Sequence, residues 1–335
     1  MKEAMLYEKV DENRVRCHLC AHRCVIPDGG SGVCGVRVNE GGELYTLAYG
    51  RTISQHVDPI EKKPLYHYLP GSRSFSIATP GCNFHCLWCQ NAGIVHMSME
   101  EYDTIGREAS PQDLVKAARR TGSQSIAYTY TEPTIFFEYA LETAKLARQE
   151  GLGNVYVTNG YMTPEMLDAF HPYLDAANVD LKAFREETYH RYVGASLAPI
   201  LESLKKMKEM GIWLEVTTLV VPDLNDEPAE LRDAARFIVE ELGPETPWHI
   251  SRFFPHHQMR DRPPTPMATL NKAREIGREE GLDFIYTGNV AAETNTYCPA
   301  CDRLLIRRRG FGIYENRLQH GRCPDCETRV DGVWS

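Results

Sequence analysis

Three cysteines, Cys82, Cys86 and Cys89, carry the densest chemistry in this chain, within the stretch Thr79-Pro80-Gly81-Cys82-Asn83-Phe84-His85-Cys86-Leu87-Trp88-Cys89-Gln90-Asn91. Thiolates spaced Cys-x3-Cys-x2-Cys can surround one cluster, but they supply only three of the four ligands that a cubane [4Fe-4S] cluster takes. The fourth iron is left open. Such an iron can bind a small molecule and exchange electrons with it, as an open coordination position marks catalytic rather than structural zinc. From spacing alone, the same residues could instead be half of a zinc site or buried small hydrophobes.

The remaining cysteines make this group stand out. The chain has eleven, divided into Cys17, Cys20, Cys24 and Cys34, then Cys82, Cys86 and Cys89, then Cys298, Cys301, Cys323 and Cys326. Grouping of this kind points to ligands rather than disulfides, and to a reducing, cytoplasmic setting. The first four lie in a segment rich in Gly and Pro (Pro27, Gly29, Gly30, Gly32, Gly35) that a bound metal would fold. Four ligands leave no open position, so a structural site is expected, with Zn2+ or a second Fe-S cluster. His18 and His22 are available substitutes for one cysteine. The last four, Cys-x2-Cys-x21-Cys-x2-Cys, have the spacing of a zinc ribbon, with a hairpin of Leu304 to Arg309 and Tyr314 to Leu318 between the pairs. Arg307, Arg308 and Arg309 read as a solvated edge that discourages strand pairing.

Composition bounds the function classes. A formal charge of -9 argues against a large nucleic-acid footprint. No stretch reads as a membrane span, and Met1-Lys2-Glu3-Ala4 leads into the charged segment Glu8 to Arg16 without the apolar run of a secretory signal.

The elements that must position the chemistry follow from periodicity. Short apolar runs predict strands at Phe75 to Ala78, Ser125 to Tyr130, Asn154 to Thr158, Ala177 to Leu181, Trp213 to Val220, His249 to Arg252 and Phe284 to Tyr286. Helices are expected between them: from Pro111, capped by Ser110, to Gly122; from Pro133 to Gly151; and over Pro164 to Phe170, Pro199 to Met210, Glu227 to Leu242 and Met267 to Glu280. The expected fold is α/β, a partial or full (β/α) barrel with a small cysteine-rich N-terminal segment (1–72), a barrel (73–292) and a zinc-ribbon-like C-terminal domain (293–335). Active residues then belong at the C-terminal ends of the strands, and the cysteine loop begins just after the first.

The loop, with Trp88 immediately before its last cysteine, resembles that of the radical S-adenosylmethionine (SAM) superfamily. The resemblance implies that SAM chelates the open iron, and that an electron from the cluster breaks a C–S bond to give a 5'-deoxyadenosyl radical that abstracts hydrogen. Further segments extend it. Tyr128-Thr129-Tyr130-Thr131-Glu132-Pro133 looks like a variant of the GGEP motif with both glycines replaced, which makes Thr131 and Glu132 candidates for the SAM amino group; a helix cap is the plainer alternative. Val157-Thr158-Asn159-Gly160 resembles the DTNG segment of glycyl-radical activating enzymes, with Val157 in place of the aspartate; Thr158 and Asn159 would meet the ribose or the SAM carboxylate. Asp180-Leu181-Lys182 resembles their DLK segment, where Lys182 would pair with the SAM carboxylate and Asp180 with a hydroxyl or cation. Leu219 to Asp226 resembles a VVPGxND stretch. His249, Arg252, His256 and His257 end the sixth strand and are candidates for contact with cofactor or substrate.

The order of these segments, ending in Gly332-Val333-Trp334, is similar to the radical SAM enzymes of the AmmeMemoRadiSam system, a group related to pyruvate formate-lyase activating enzymes. That likeness implies SAM, a [4Fe-4S] cluster and reduced flavodoxin or ferredoxin as electron donor. Three functions remain in view: hydrogen abstraction from a small molecule, installation of a glycyl radical on a partner enzyme, and a non-catalytic metal-binding scaffold.

Overall fold

In the computed structural model, which describes residues 1–335, one eight-stranded sheet organises the chain. Its strands are β1 (Ser54–Pro59), β2 (Arg73–Ala78), β3 (Ser125–Tyr128), β4 (Gly153–Thr158), β5 (Ala176–Asp180), β6 (Trp213–Val220), β7 (Trp248–Arg252) and β8 (Ile285–Gly288). They lie side by side in chain order. β2 to β8 are parallel, and β1 adds an antiparallel edge strand against β2. β1 and β8 pair with one neighbour each, so the architecture is a partial barrel.

The helices form where the sequence punctuates them. α1 (Pro111–Arg120) starts on a capping box of Ser110 and Asp113 and stops before Gly122, whose φ of +65° ends the turn. α2 (Phe137–Gln149), α3 (Pro164–Phe170), α4 (Ala198–Glu209), α5 (Pro228–Phe237) and α6 (Met267–Glu279) follow. Two depart from the expected form. The segment from Pro133 begins as a 3-10 turn, Pro133–Phe136, and the one from Glu227 ends in a π turn, Ile238–Leu242. No helix is long and apolar enough to cross a membrane.

The sheet begins at Ser54, ahead of the expected boundary at residue 72. β1 reads Ser-Gln-His-Val-Asp-Pro and lacks the apolar run that marks a buried strand, because it is a partly exposed edge strand in which only Asp58 is buried. The chain after β1 then plugs the barrel: Ile60, Leu65 and Tyr68 pack against Ala127, Val155 and Ala176. The N-terminal segment folds as two three-stranded antiparallel sheets, and its Val15, Leu19, Ile26 and Val36 share the main core with the barrel.

At the other end, β9 (Leu304–Arg309) and β10 (Gly312–Asn316) form the expected hairpin. The Arg307 to Arg309 run is not a uniformly solvated edge. Arg308 is fully buried, donating to Tyr66 O at 2.7 Å and Thr296 Oγ1 at 2.6 Å, with its guanidinium 4.7 Å from the Tyr66 ring centroid. Strand alternation turns Arg307 and Arg309 outward and drives Arg308 under the ribbon, where it clamps the ribbon to the barrel plug.

Candidate active site

The cysteine loop is held by small residues and side-chain amides. Gly81 sits at φ +95°, and a Cβ there would stand 2.8 Å from Val36 Cγ1 and 2.9 Å from Cys34 O, so only glycine lets the loop approach the N-terminal segment this closely. Asn83 is buried; its Oδ1 accepts from Asn159 Nδ2 at 2.7 Å and its Nδ2 donates to Tyr161 O at 3.3 Å. Backbone donors His85 N and Leu87 N bond to Val193 O and Tyr192 O, fixing the loop on the π turn Tyr189–Val193. Cys82 Sγ accepts from Phe84 N at 3.3 Å.

Cys82, Cys86 and Cys89 line a cleft of about 310 Å³ at the C-terminal ends of the strands. The structure brings Trp88, Thr131, Glu132, Thr158, Asn159, Asp180 and Lys182 to the same cleft. Their bonds separate them into two kinds. Glu132 is buried, and its carboxylate accepts from Thr134 N, Thr134 Oγ1, Thr158 Oγ1 and Asn159 N at 2.6 to 2.9 Å. This residue ties β3 to β4, and Thr158 is spent on it. Burial pushes the Glu132 carboxyl above its usual range, with these donors opposing the shift. Thr131 Oγ1 donates to Thr79 O at 2.7 Å, bracing the loop ahead of Cys82. Lys182 Nζ, by contrast, faces the cleft 2.6 Å from Asp180 Oδ2. Burial would lower this ammonium, but Asp180 and the thiols of Cys86 and Cys89 hold it above the usual lysine range.

His249 is not among the cleft-lining residues. Its Nε2 lies 2.6 Å from Glu215 Oε2, one layer below the cleft, and Glu215 also accepts from Tyr66 N, His67 N and Trp213 Nε1. Burial alone would raise Glu215, whereas His249 and the other donors hold its carboxyl below the usual range. The pair therefore secures the barrel plug, and alternation places Ser251, not His249, at the cleft. His257 stacks on His96 at 5.5 Å, and His96 on His85 at 6.1 Å; neither His256 nor His257 lines the cleft.

Sequence reasoning missed one charged group. Lys63 is buried at the cleft wall, 2.7 Å from Asp58 Oδ2 and 4.3 Å from the Tyr130 ring centroid, and burial brings its ammonium down to about 8. Asp58 also accepts from Lys62 Nζ, Ser76 Oγ and the Tyr130 hydroxyl. Burial would raise its carboxyl, but Lys62, Lys63 and Tyr130 hold it well below the usual range. Nothing in the sequence marks Lys63; in the structure its neighbour Tyr130 is a non-glycine residue at φ +64°.

The donor set fits an iron–sulfur cluster. Burial raises all three thiols, Cys86 to about 12, so as free side chains they would stay protonated, and a cationic partner is needed to hold them as thiolates. Their sulfurs are not gathered within 4.8 Å of one another, as ligands of a single ion would be. Trp88 Nε1 is buried in the cleft wall without a hydrogen-bond partner, a donor that a bound group can satisfy. A larger groove of about 850 Å³ runs between α6, β8 and the ribbon, but none of the expected cofactor-binding residues lines it.

The two four-cysteine groups differ. Cys298, Cys301, Cys323 and Cys326 have all four sulfurs within 4.8 Å of one another, with Cys298–Cys326 at 3.5 Å and Cys301–Cys323 at 3.6 Å, an arrangement that can hold one metal ion. Cys17, Cys20, Cys24 and Cys34 line one apolar cavity together with Arg37 and Ile135.

Comparison with known proteins agrees with this geometry. The family model of the Radical SAM superfamily matches residues 76–237, from within β2 to the end of α5. An uncharacterized protein of Methanocaldococcus jannaschii is 44% identical over 337 residues, covering 99% of this chain and 100% of that protein. The 7-carboxy-7-deazaguanine synthase of Thermococcus kodakarensis is 29% identical over 156 residues, covering 42% of this chain and 61% of that enzyme. The pyruvate formate-lyase-activating enzyme of Clostridium pasteurianum is 21% identical over 175 residues, covering 50% of this chain and 70% of that enzyme. Its parallel partial barrel, its cysteine loop at the strand ends and these matches together place the chain in the radical SAM superfamily.

Proposed function

We propose that this protein reductively cleaves SAM and uses the resulting radical to abstract hydrogen from a small molecule. The observation that carries the reading is the convergence of Cys82, Cys86, Cys89, Trp88 and the Asp180–Lys182 pair on one cleft. Cys82, Cys86 and Cys89 would hold the [4Fe-4S] cluster, which when bound supplies the electron that breaks a C–S bond of SAM to give the 5'-deoxyadenosyl radical. Lys182 would take the SAM carboxylate and Asp180 a hydroxyl or the amino group. Asn159, bonded to Asn83 and 3.8 Å from Cys82 Sγ, keeps the loop and the end of β4 in register. Reduced flavodoxin or ferredoxin would deliver the electron, and the protein would work in the cytoplasm, where its cysteines stay reduced. Segments 1–72 and 293–335 would be metal-bearing additions to the barrel at 73–292, in a radical SAM component of the AmmeMemoRadiSam system.

Lys63, Asp58 and Tyr130 favour a small polar substrate. A buried ammonium beside a carboxylate and a phenol gives the cleft wall a group that can bind and exchange protons with a polar metabolite. The activating-enzyme relative supports a second reading, a partner protein as target, which an electron-spin signal from a glycyl radical on a co-purified protein would establish. The test of the main reading is anaerobic reconstitution followed by measurement of 5'-deoxyadenosine under strong reductant. Release by the wild type and none by Cys86→Ala is expected; no SAM fragment from the wild type would leave only the scaffold reading, and equal turnover by Cys86→Ala would remove that residue from the cluster.

A further inference from the structure

The three cysteine groups of this chain provide an internal comparison. A single tetrahedral zinc at about 2.3 Å from each sulfur draws the sulfurs to about 3.8 Å from one another. The C-terminal set has this form, with paired sulfurs at 3.5 and 3.6 Å and all four within 4.8 Å. No three of Cys17, Cys20, Cys24 and Cys34 gather in this way, and neither do Cys82, Cys86 and Cys89. A cubane places each thiolate on a different iron, so its cysteines must stand farther apart than those around one ion. The N-terminal four nevertheless line a single cavity, shared with the apolar side chains of Leu19, Ile26 and Ile135.

A second observation points to a group inside that cavity. Arg37 lines it and is 1% exposed, and its Nε has no hydrogen-bond partner, although the guanidinium nitrogens beyond it reach Glu138 and Met5 O. A buried donor of this kind calls for an acceptor. The sulfide or thiolate sulfur of a cluster supplies one, and the cationic guanidinium offsets the negative charge of the four thiolates. The site also lies against the Cys82–Cys89 loop: Cys34 O is one of the two atoms, with Val36 Cγ1, that leave no room for a side chain at Gly81, and His22, between Cys20 and Cys24, has Nε2 2.7 Å from Asn83 O.

We propose that Cys17, Cys20, Cys24 and Cys34 hold a second, fully ligated iron–sulfur cluster, whereas the C-terminal set holds zinc. The first test is Cys82→Ser/Cys86→Ser/Cys89→Ser, reconstituted anaerobically with iron and sulfide. About four iron and four sulfide per chain should remain, with about one zinc and a spin signal on reduction. That signal should not change on adding SAM, because four cysteines leave no open iron. A chain with no iron and about two zinc per chain would overturn the proposal. Should the triple variant not fold, Cys20→Ser/Cys24→Ser in the otherwise intact chain decides it. There, iron should fall from about eight to about four per chain while zinc stays near one; loss of zinc at constant iron would refute the assignment. These readouts do not require SAM cleavage, so failure of the proposed activity and failure of this site are separable.

Discussion

Lys182→Met is the perturbation that bears most directly on how SAM is held. The substitution keeps an apolar stem of similar length and removes the ammonium 2.6 Å from Asp180. Both side chains are mostly buried, 19% and 31% exposed, so an unfolding midpoint is measured beside binding to separate loss of the ion pair from loss of the SAM contact. A charge-assisted bond from Lys182 to the SAM carboxylate is worth about 1.5 to 3 kcal/mol, which corresponds to a Kd raised roughly 10- to 150-fold. Asp180→Asn separates the partners. If Lys182 is the contact, releasing it from Asp180 leaves the Kd within about threefold of wild type or tightens it. If Asp180 instead takes the SAM amino group, Asp180→Asn weakens binding about as much as Lys182→Met, and the double variant shows whether the effects add. The assay is anaerobic calorimetric titration with SAM, at matched iron content. A Kd for Lys182→Met within about threefold of wild type, with its iron intact, would refute the role of Lys182.

Two further outcomes concern the layer beneath the cleft. His67 donates from Nδ1 to Asp331 O and accepts at Nε2 from the Tyr286 hydroxyl, and burial brings its imidazole down to about 4. The unfolded chain takes up this proton near 6.5, so the stability that the neutral ring provides is complete above that pH and is lost as pH falls toward 4, by up to about 3 kcal/mol. Urea midpoints of the wild type should therefore fall more steeply between pH 7 and 4.5 than those of His67→Gln, and parallel curves would contradict this. Arg308→Met removes the cation that caps Tyr66 O and leaves Glu61, 4.0 Å away and fully buried, without its counter-charge. A loss of about 3 kcal/mol in unfolding free energy is expected, and a change below about 1 kcal/mol would mean that Glu61 binds a proton instead.

Much of this architecture can be read from the sequence because the elements are repetitive. Most of the parallel strands are short, largely apolar runs close to a Gly or Pro, and seven of the eight strands lie within a few residues of where periodicity puts them. The exception, β1, is a partly exposed edge strand with only Asp58 buried and so presents no apolar alternation. Motifs at strand ends were legible as positions but not as bonds. Asp180 and Lys182 share the cleft as expected, whereas Glu132 spends its carboxylate on Thr134, Thr158 and Asn159. His249 lies away from the cleft for a geometric reason: a period of two puts it in the barrel interior, one residue pair deeper than Ser251. Its partner Glu215 gives no sign in the sequence, since an acid in the middle of a strand ordinarily faces solvent.

The two walls of the cleft therefore carry different kinds of information. One wall is the cysteine loop with the ends of β3, β4 and β5, whose residues are fixed to one another through Asn83, Glu132 and Asn159; altering one displaces the rest. The facing wall is built from Lys62 and Lys63, on the turn behind the antiparallel edge strand, with Tyr130 from the segment after β3 beside them; Asp58, on the edge strand, accepts from all three. Substitution of Lys62 or Lys63 changes charge in the cleft without altering the cysteine loop. Selection of the molecule that faces the proposed radical can thus vary on one wall while the cysteine side of the cleft stays constant.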